Sequence, residues 1–274
     1  MKKFTVLILL FVVALSLCFS TSEAQTKKKP IVTIDVIGGY SVPMMDMGGD
    51  IKDMWLFNGY GTSTAINTGF SVKYSVLTRD MFQLRVYSTF LYTQASRSSS
   101  IAYDLSNGTG NNTISNGWPT IGYNAPVETK GESYMRLNIP SAGVGMEAAV
   151  YLDKLNRSSF NFGLDFDISI ITGRAYNTYP APTGEVFYTI PSSTRVGFGL
   201  NVMYDIKVAE MLGINVGTRF QWHNLLGKSF SNSDSPWYMP LNDDAFAVGS
   251  LTPSSRNIAS LNFFTGVSFF IGKR

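Results

Sequence analysis

Phe160-Asn161-Phe162-Gly163-Leu164-Asp165-Phe166-Asp167-Ile168-Ser169-Ile170 is the stretch that decides the fold of this chain. Phe160, Phe162, Leu164, Phe166, Ile168 and Ile170 fall on one face of a period-two element, and Asn161, Gly163, Asp165, Asp167 and Ser169 on the other. A helix would scatter both sets around its axis, so the stretch is a strand. The two carboxylates on its polar face need water or partners, which excludes an ordinary hydrophobic core on that side.

The same rhythm recurs along the chain, at approximately 31–41, 62–75, 81–94, 134–152, 159–172, 194–207, 212–224 and 257–271. In the second strand Ile66, Phe70, Val72, Tyr74 and Val76 oppose Asn67, Gly69, Ser71 and Lys73. In the third, Phe82, Leu84, Val86, Phe90 and Tyr92 oppose Gln83, Arg85, Tyr87 and Thr89. The sixth opposes Val196, Phe198, Leu200, Val202 and Tyr204 to Arg195, Gly197, Gly199, Asn201, Asp205 and Lys207. The seventh opposes Ile214, Val216, Phe220 and Trp222 to Asn215, Arg219, Gln221 and His223. Only the fourth breaks step: Val144, Met146, Ala148 and Val150 hold one phase, while Met135, Leu137 and Ile139 fall on the other. A bulge or bend near Pro140 would reconcile the halves, since proline in a strand belongs at edges, ends or bulges.

The connections alternate as regularly as the residues. Strands 2–3, 4–5 and 6–7 are joined by about 4–6 residues, a hairpin length, while strands 1–2, 3–4, 5–6 and 7–8 are joined by roughly 20 to 39. All long loops therefore emerge at one end of the sheet and all short turns at the other. Half-wet strands of about ten residues with sorted loops are the pattern of a transmembrane antiparallel up-and-down β-barrel, its short turns periplasmic and its long loops extracellular. The expected fold is all-β with eight strands; Val186 to Ile190 could form a further hairpin and raise the count to ten.

The chain ends fit export. Lys2 and Lys3 precede an apolar run from Val6 to Phe19, and Ser22-Glu23-Ala24 forms a small-x-small cleavage site. We expect residues 1–24 to be a signal peptide, 25–30 a periplasmic lead-in, 31–271 the barrel domain and 272–274 a short periplasmic tail. The apolar run falls short of the roughly 20 residues that a helical span needs. Cys18, the only cysteine, lies within this signal, and Leu17 before it does not suit lipid attachment. The mature chain thus has no disulfide framework or thiolate metal site. Its net charge of +3 falls to about +2 without Lys2, Lys3 and Glu23, no footprint for nucleic acid.

An eight-stranded barrel closes around just enough space for its own side chains. The inward set gathers Asp35, Glu147, Asp165, Asp167 and Asp205 against Lys73, Arg85, Arg195, Lys207 and Arg219. Balanced charge points to ion pairs across a plugged lumen, because an unpaired charge there costs several kcal/mol in desolvation. On the outside, Tyr74, Phe82, Tyr204 and Phe269 lie towards the short turns and Tyr40, Tyr92 and Trp222 towards the long loops. Two such belts anchor a barrel at the headgroups.

Gly266-Val267-Ser268-Phe269-Phe270-Ile271 is similar to the Gly-x-x-aromatic-x-hydrophobic signal read by the barrel-assembly machinery. From about Ile31 onward the chain resembles the eight-stranded outer-membrane β-barrel superfamily that includes the outer-membrane protein A transmembrane domain, outer-membrane protein X and the Ail adhesins. It departs from their closing strand at Phe264, where a polar residue is usual, and in the trailing Gly272-Lys273-Arg274. Arg219-Phe220-Gln221-Trp222 with Asn224-Leu225-Leu226-Gly227-Lys228 also resembles uncharacterised barrels of the Bacteroidetes and Ignavibacteria group. The resemblance implies a location in a Gram-negative outer membrane, contact with its lipid, and the assembly machinery as partner of strand 257–271.

Catalytic patterns are weak. His223 is the only histidine. Outer-membrane lipid deacylases pair a histidine with a serine two residues on, where this chain has Leu225. Ser229 and the Asp243-Asp244 pair lie in a long loop with no fixed relation to His223. Asp104-Leu105-Ser106-Asn107-Gly108 alternates oxygen donors but lacks the distal bidentate acid of a calcium loop. We expect no catalytic, cofactor or metal site. The expected role is envelope-structural or surface-binding through the long loops and any extracellular ligand they meet; the alternatives are a narrow solute or lipid channel and a lipid-modifying enzyme.

Overall fold

The computed structural model describes residues 29–55, 59–104, 114–115, 118–119, 127–178, 185–231, 238–245 and 254–272. Its long strands are β1 (Val32–Met45), β2 (Thr64–Arg79), β3 (Phe82–Asp104), β4 (Val127–Tyr151), β5 (Ser158–Thr178), β6 (Glu185–Lys207), β7 (Leu212–Leu226) and β8 (Ile258–Ile271). Each pairs antiparallel with its neighbours in the chain, and β1 closes on β8 from Val32↔Ile271 to Met45↔Ile258. A closed ring leaves no unpaired edge. One helical turn, α1 (Ile51–Trp55), lies between β1 and β2, and Ile114–Ser115 pairs with Trp118–Pro119 in a small ribbon. Among the described residues no helix is long and apolar enough to cross a membrane. Residues 1–24, the remainder of the calcium-like run after Asp104, and 273–274 lie outside the described residues.

The wall is uneven in height. Strands β3 to β6 run for 21 to 25 residues, whereas β1, β2, β7 and β8 run for 14 to 16. At a rise of about 3.3 Å per residue and a tilt near 40°, that is about 60 Å along the axis for the tallest strand and about 35 Å for the shortest. Ser96 to Asp104, read from sequence as loop, is the upper part of β3. The extra hairpin expected at Val186 to Ile190 is the top of β6, paired to β5 through Phe187↔Tyr176 and Ile190↔Gly173. The barrel has eight strands, not ten.

Polarity inverts between the lower and upper parts. In the lower part the outer face is apolar: Val144 is 68% exposed, Phe166 61% and Ile66 58%. The inner face is polar there. Higher up, the outward positions carry Gln94, Ser96, Ser98, Glu132, Arg136, Asn138 and Arg174. Inside that upper wall Met135, Leu137, Ile139, Ile171, Tyr188 and Ile190 pack in a dry core with Met47, Ile51, Met54 and Tyr60 from the β1–β2 connection and Met239 and Leu241 from the β7–β8 connection.

This explains the phase problem in β4, and the bulge expected near Pro140 is absent. Pairing with β3 runs unbroken through Tyr92↔Pro140, and pairing with β5 keeps one register from Asn138↔Thr172 to Ser141↔Ser169. The odd-numbered residues point inward all the way. What changes at Pro140 is their surroundings, from a polar lumen to an apolar core. The register shifts lie elsewhere, at Ser75/Leu77, Ser99/Ile101, Ile171/Gly173 and Val196/Phe198.

Candidate functional site

The lumen is filled by layers of paired polar side chains. Nearest the short turns, Lys73 Nζ stands 2.8 Å from Asp35 and 2.6 Å from Glu147, and Glu147 also takes Arg85 at 3.1 Å. Arg85 reaches Gln83 at 2.9 Å and the Tyr151 hydroxyl at 3.0 Å. Asn161 donates to Asp205 at 2.7 Å. These residues come from six strands: the Lys73–Glu147 group ties β1 to β4 together, and the Asn161–Asp205 pair joins β5 to β6. Lys29 closes the turn end. Its ammonium donates to the carbonyls of Arg79 and Asp80 and lies 4.6 Å from the Tyr151 ring centroid. Burial draws its pKa below the ordinary lysine value, against the opposing pull of Asp80.

The middle layer centres on a two-pronged pair. Arg219 donates to both oxygens of Asp165, at 2.7 and 2.6 Å, and Tyr87 donates to the same carboxylate at 2.5 Å. Gly199 makes the room for this: a Cβ there would collide with the Arg219 guanidinium. Gly199→Ala should therefore cost about 1–3 kcal/mol by overpacking, read as a lower urea midpoint for unfolding in micelles. A midpoint equal to wild type would show that Arg219 has slack. Above the pair, Gln221 reaches Ser141 at 3.0 Å and Asp167 at 3.3 Å, and Ser169 donates to Asp167 at 2.9 Å. His223 sits between Ser169 (3.4 Å) and Ser260 (3.1 Å), fully buried.

The top layer belongs to the last long loop. Arg195 grips Asp243 at 2.9 and 2.7 Å, and Asn224 donates to the same carboxylate at 2.8 Å. Arg256 donates to the Leu241 carbonyl at 2.7 Å and covers the Tyr60 ring at 4.3 Å. Burial would raise the Asp243 pKa, yet the bonds from Arg195, Asn224 and the Ser229 backbone outweigh it and hold the carboxyl below its ordinary value.

The residues expected to share one lumen network are therefore distributed among layers. Asp35, Lys73, Arg85 and Glu147 are joined directly, with Asp205 bound to Asn161; Asp165 and Arg219 form a second group, adjoined by Asp167. Arg195 pairs instead with Asp243 of the loop. Lys207 is half-buried near the turn end, 5.2 Å from the Phe270 ring centroid. Asp243 does not approach His223 as a partner, and Asp244 is exposed. Sequence reading did not single out Lys29, Tyr151 or Arg256, none of which carries a periodic or motif signal, and it met Asn224 only within a resemblance, not as a partner of Asp243. Of the aromatic belts, Tyr40, Tyr74 and Phe269 are about half exposed, and Phe82, Tyr92, Tyr204 and Trp222 are partly covered by neighbours.

Between the lower and middle layers, Asp35, Lys73, Tyr87, Asn201 and Arg219 line a void of about 30 Å³, room for about one water. Among the described residues, the polar layers and the apolar cap above them stack along the axis.

No protein-family model and no curated protein matches the chain. Several solved structures are similar to it. Neisserial surface protein A is 14% identical, with a TM-score of 0.38, over 88% of this chain and 97% of its own. Ail, the attachment invasion locus protein of Yersinia pestis, solved with the heparin analogue sucrose octasulfate, is 10% identical, with a TM-score of 0.37, over 88% and 99%. The outer membrane protease OmpT of Escherichia coli is 12% identical, with a TM-score of 0.40, over 77% and 65%. All three are likenesses of fold.

Proposed function

We propose that this chain is an exported outer-membrane protein with a closed lumen, serving as an envelope-structural or surface-binding protein through its tall wall and long loops. The observation that carries the reading is the inversion of polarity across the lower wall. Phe160 to Ile170 on β5 place an apolar side chain outward at every second residue, a band about 25 Å high, while the inward positions hold buried ion pairs. A water-soluble barrel has no use for so continuous an apolar exterior. The layered lumen favours a binding or structural role over conduction. The enclosure of His223, beneath packed side chains and between two serines, disfavours catalysis.

The test has two parts. The protein should fractionate with outer membranes and migrate differently on gels before and after boiling, as closed barrels do. Reconstituted in a planar bilayer, it should give no steady single-channel steps. Soluble partitioning without heat-dependent mobility would sink the membrane reading, and stable conductance would sink the closed lumen.

A further inference from the structure

We propose that the upper outer wall of β3 to β6 carries a binding site for a phosphorylated glycolipid of the outer leaflet. The proposal rests on the outer-membrane reading above and names a ligand for its surface. Arg136 and Arg174 are direct cross-strand partners, both pointing outward and both exposed. Like charges placed opposite one another destabilise a strand pair. Neither arginine has a carboxylate within ion-pairing distance among the described residues. Register extends the row in both directions, Ser96↔Arg136↔Arg174↔Thr189. Four adjacent strands thus present hydroxyl, guanidinium, guanidinium and hydroxyl at one level. Arg136 is oriented by Tyr134, whose hydroxyl accepts from its Nε and whose ring centroid lies 5.2 Å from the guanidinium carbon.

The level matters as much as the charge. On β5 the outward apolar run ends at Ile170, and Arg174 follows two outward positions above it; on β4 Arg136 lies two outward positions above Pro140. Four residues of tilted strand rise about 10 Å, which places the guanidinium pair in the headgroup layer above the hydrocarbon. A pair of planar forks at that depth matches a phosphate monoester or diester on a lipid. The next row up is Ser98↔Tyr134↔Tyr176. It opens into a surface groove of about 640 Å³ lined by Ser98, Ser99, Ser100, Glu132, Tyr134 and Tyr176. Two tyrosine rings, with serine hydroxyls and one carboxylate, suit a sugar: the rings cover its apolar face and the oxygens bond its hydroxyls. Phosphate below and sugar above describe the lipid A phosphates of a lipopolysaccharide with its core sugars above them more closely than the headgroup of a simple phospholipid.

The experiment titrates the full chain, folded in dodecyl maltoside micelles, with bisphosphorylated lipid A and counts bound lipid by native mass spectrometry. One lipid per barrel is expected. Arg136→Gln with Arg174→Gln should weaken binding at least about tenfold, a loss of about 1.4 kcal/mol, and so should removal of the phosphates from the lipid. Lys130→Gln, a charge change on the same tall strand but away from the row, should leave binding unchanged. Inorganic phosphate at about ten millimolar should not displace the lipid. Equal binding by the double variant, equal binding of dephosphorylated lipid A, or displacement by free phosphate would each overturn the site. Retained heat-dependent mobility in the variants shows that they fold. Absence of that mobility in the wild type would overturn the membrane reading and the lipid site together.

Discussion

Asp165→Ala should destabilise the barrel by about 3–5 kcal/mol, the cost of stripping one partner from a buried ion pair. Asp165 is fully buried and accepts from both prongs of Arg219 and from Tyr87. Without it, Arg219 keeps a full charge in a lumen whose nearest described void holds about one water. Among the described residues, no second carboxylate lies in bonding contact with that charge. Removing both charges is a different experiment. Asp165→Leu with Arg219→Met refills the space with apolar groups and should recover most of the loss, because a buried pair replaced as a unit is often neutral. Urea unfolding in phospholipid vesicles, followed by heat-dependent gel mobility, measures all three proteins. A single variant within about 1 kcal/mol of wild type would mean that the lumen is well hydrated and the closed reading wrong.

Asp243→Ala should release the last long loop from the barrel mouth. The carboxylate is held by Arg195, Asn224 and the Ser229 backbone, and its loss leaves Arg195 unpaired, again at about 3–5 kcal/mol. Part of that cost falls on loop docking alone. Limited proteolysis between residues 228 and 257 should therefore speed up more than tenfold while the strands stay protected. Acid should mimic the variant in the wild type. The folded carboxyl titrates below its ordinary value of 3.8, so its contribution is complete above that pH and is lost as pH falls through the depressed folded value. Protection should hold at pH 5 and collapse only well below pH 4. A loop already labile at pH 5, or a variant as resistant as wild type, would show that Asp243 is not the fastening.

The lower barrel was legible because an apolar exterior and a polar interior force strict alternation on every strand. β5 could be read residue by residue, and the sorting of long and short connections gave the topology. The upper wall was not legible by the same rule. There Met135, Leu137 and Ile139 keep the inward phase of Glu147, but they face a dry core that loops supply, so their chemistry looked like a broken phase. Ser96 to Asp104 and Val186 to Ile190 are polar or turn-flanked and became strand through pairing with β4 and β5. The charged lumen residues were identifiable by face, but their partners were not. Arg195 finds Asp243 across 48 residues of sequence, a distance no local pattern encodes. Tyr151 and Gln83, which complete the bonding of Arg85, carry nothing in sequence that marks them as ligands of an arginine.

The inversion at the level of Pro140 also sets opposite rules for altering the surface. Below it, on the outer-membrane reading, a lysine in place of an outward leucine would meet hydrocarbon, while an inward polar exchange needs only a matching partner. Above it, outward positions on β3 to β6 away from the Arg136–Arg174 row and the tyrosine groove should accept charged or bulky epitopes freely, and the inward ones should accept none. A tag, a glycan acceptor or a fluorophore therefore belongs on the outer side of the tall strands. Its tolerance there will follow height along the axis, not the identity of the strand that bears it.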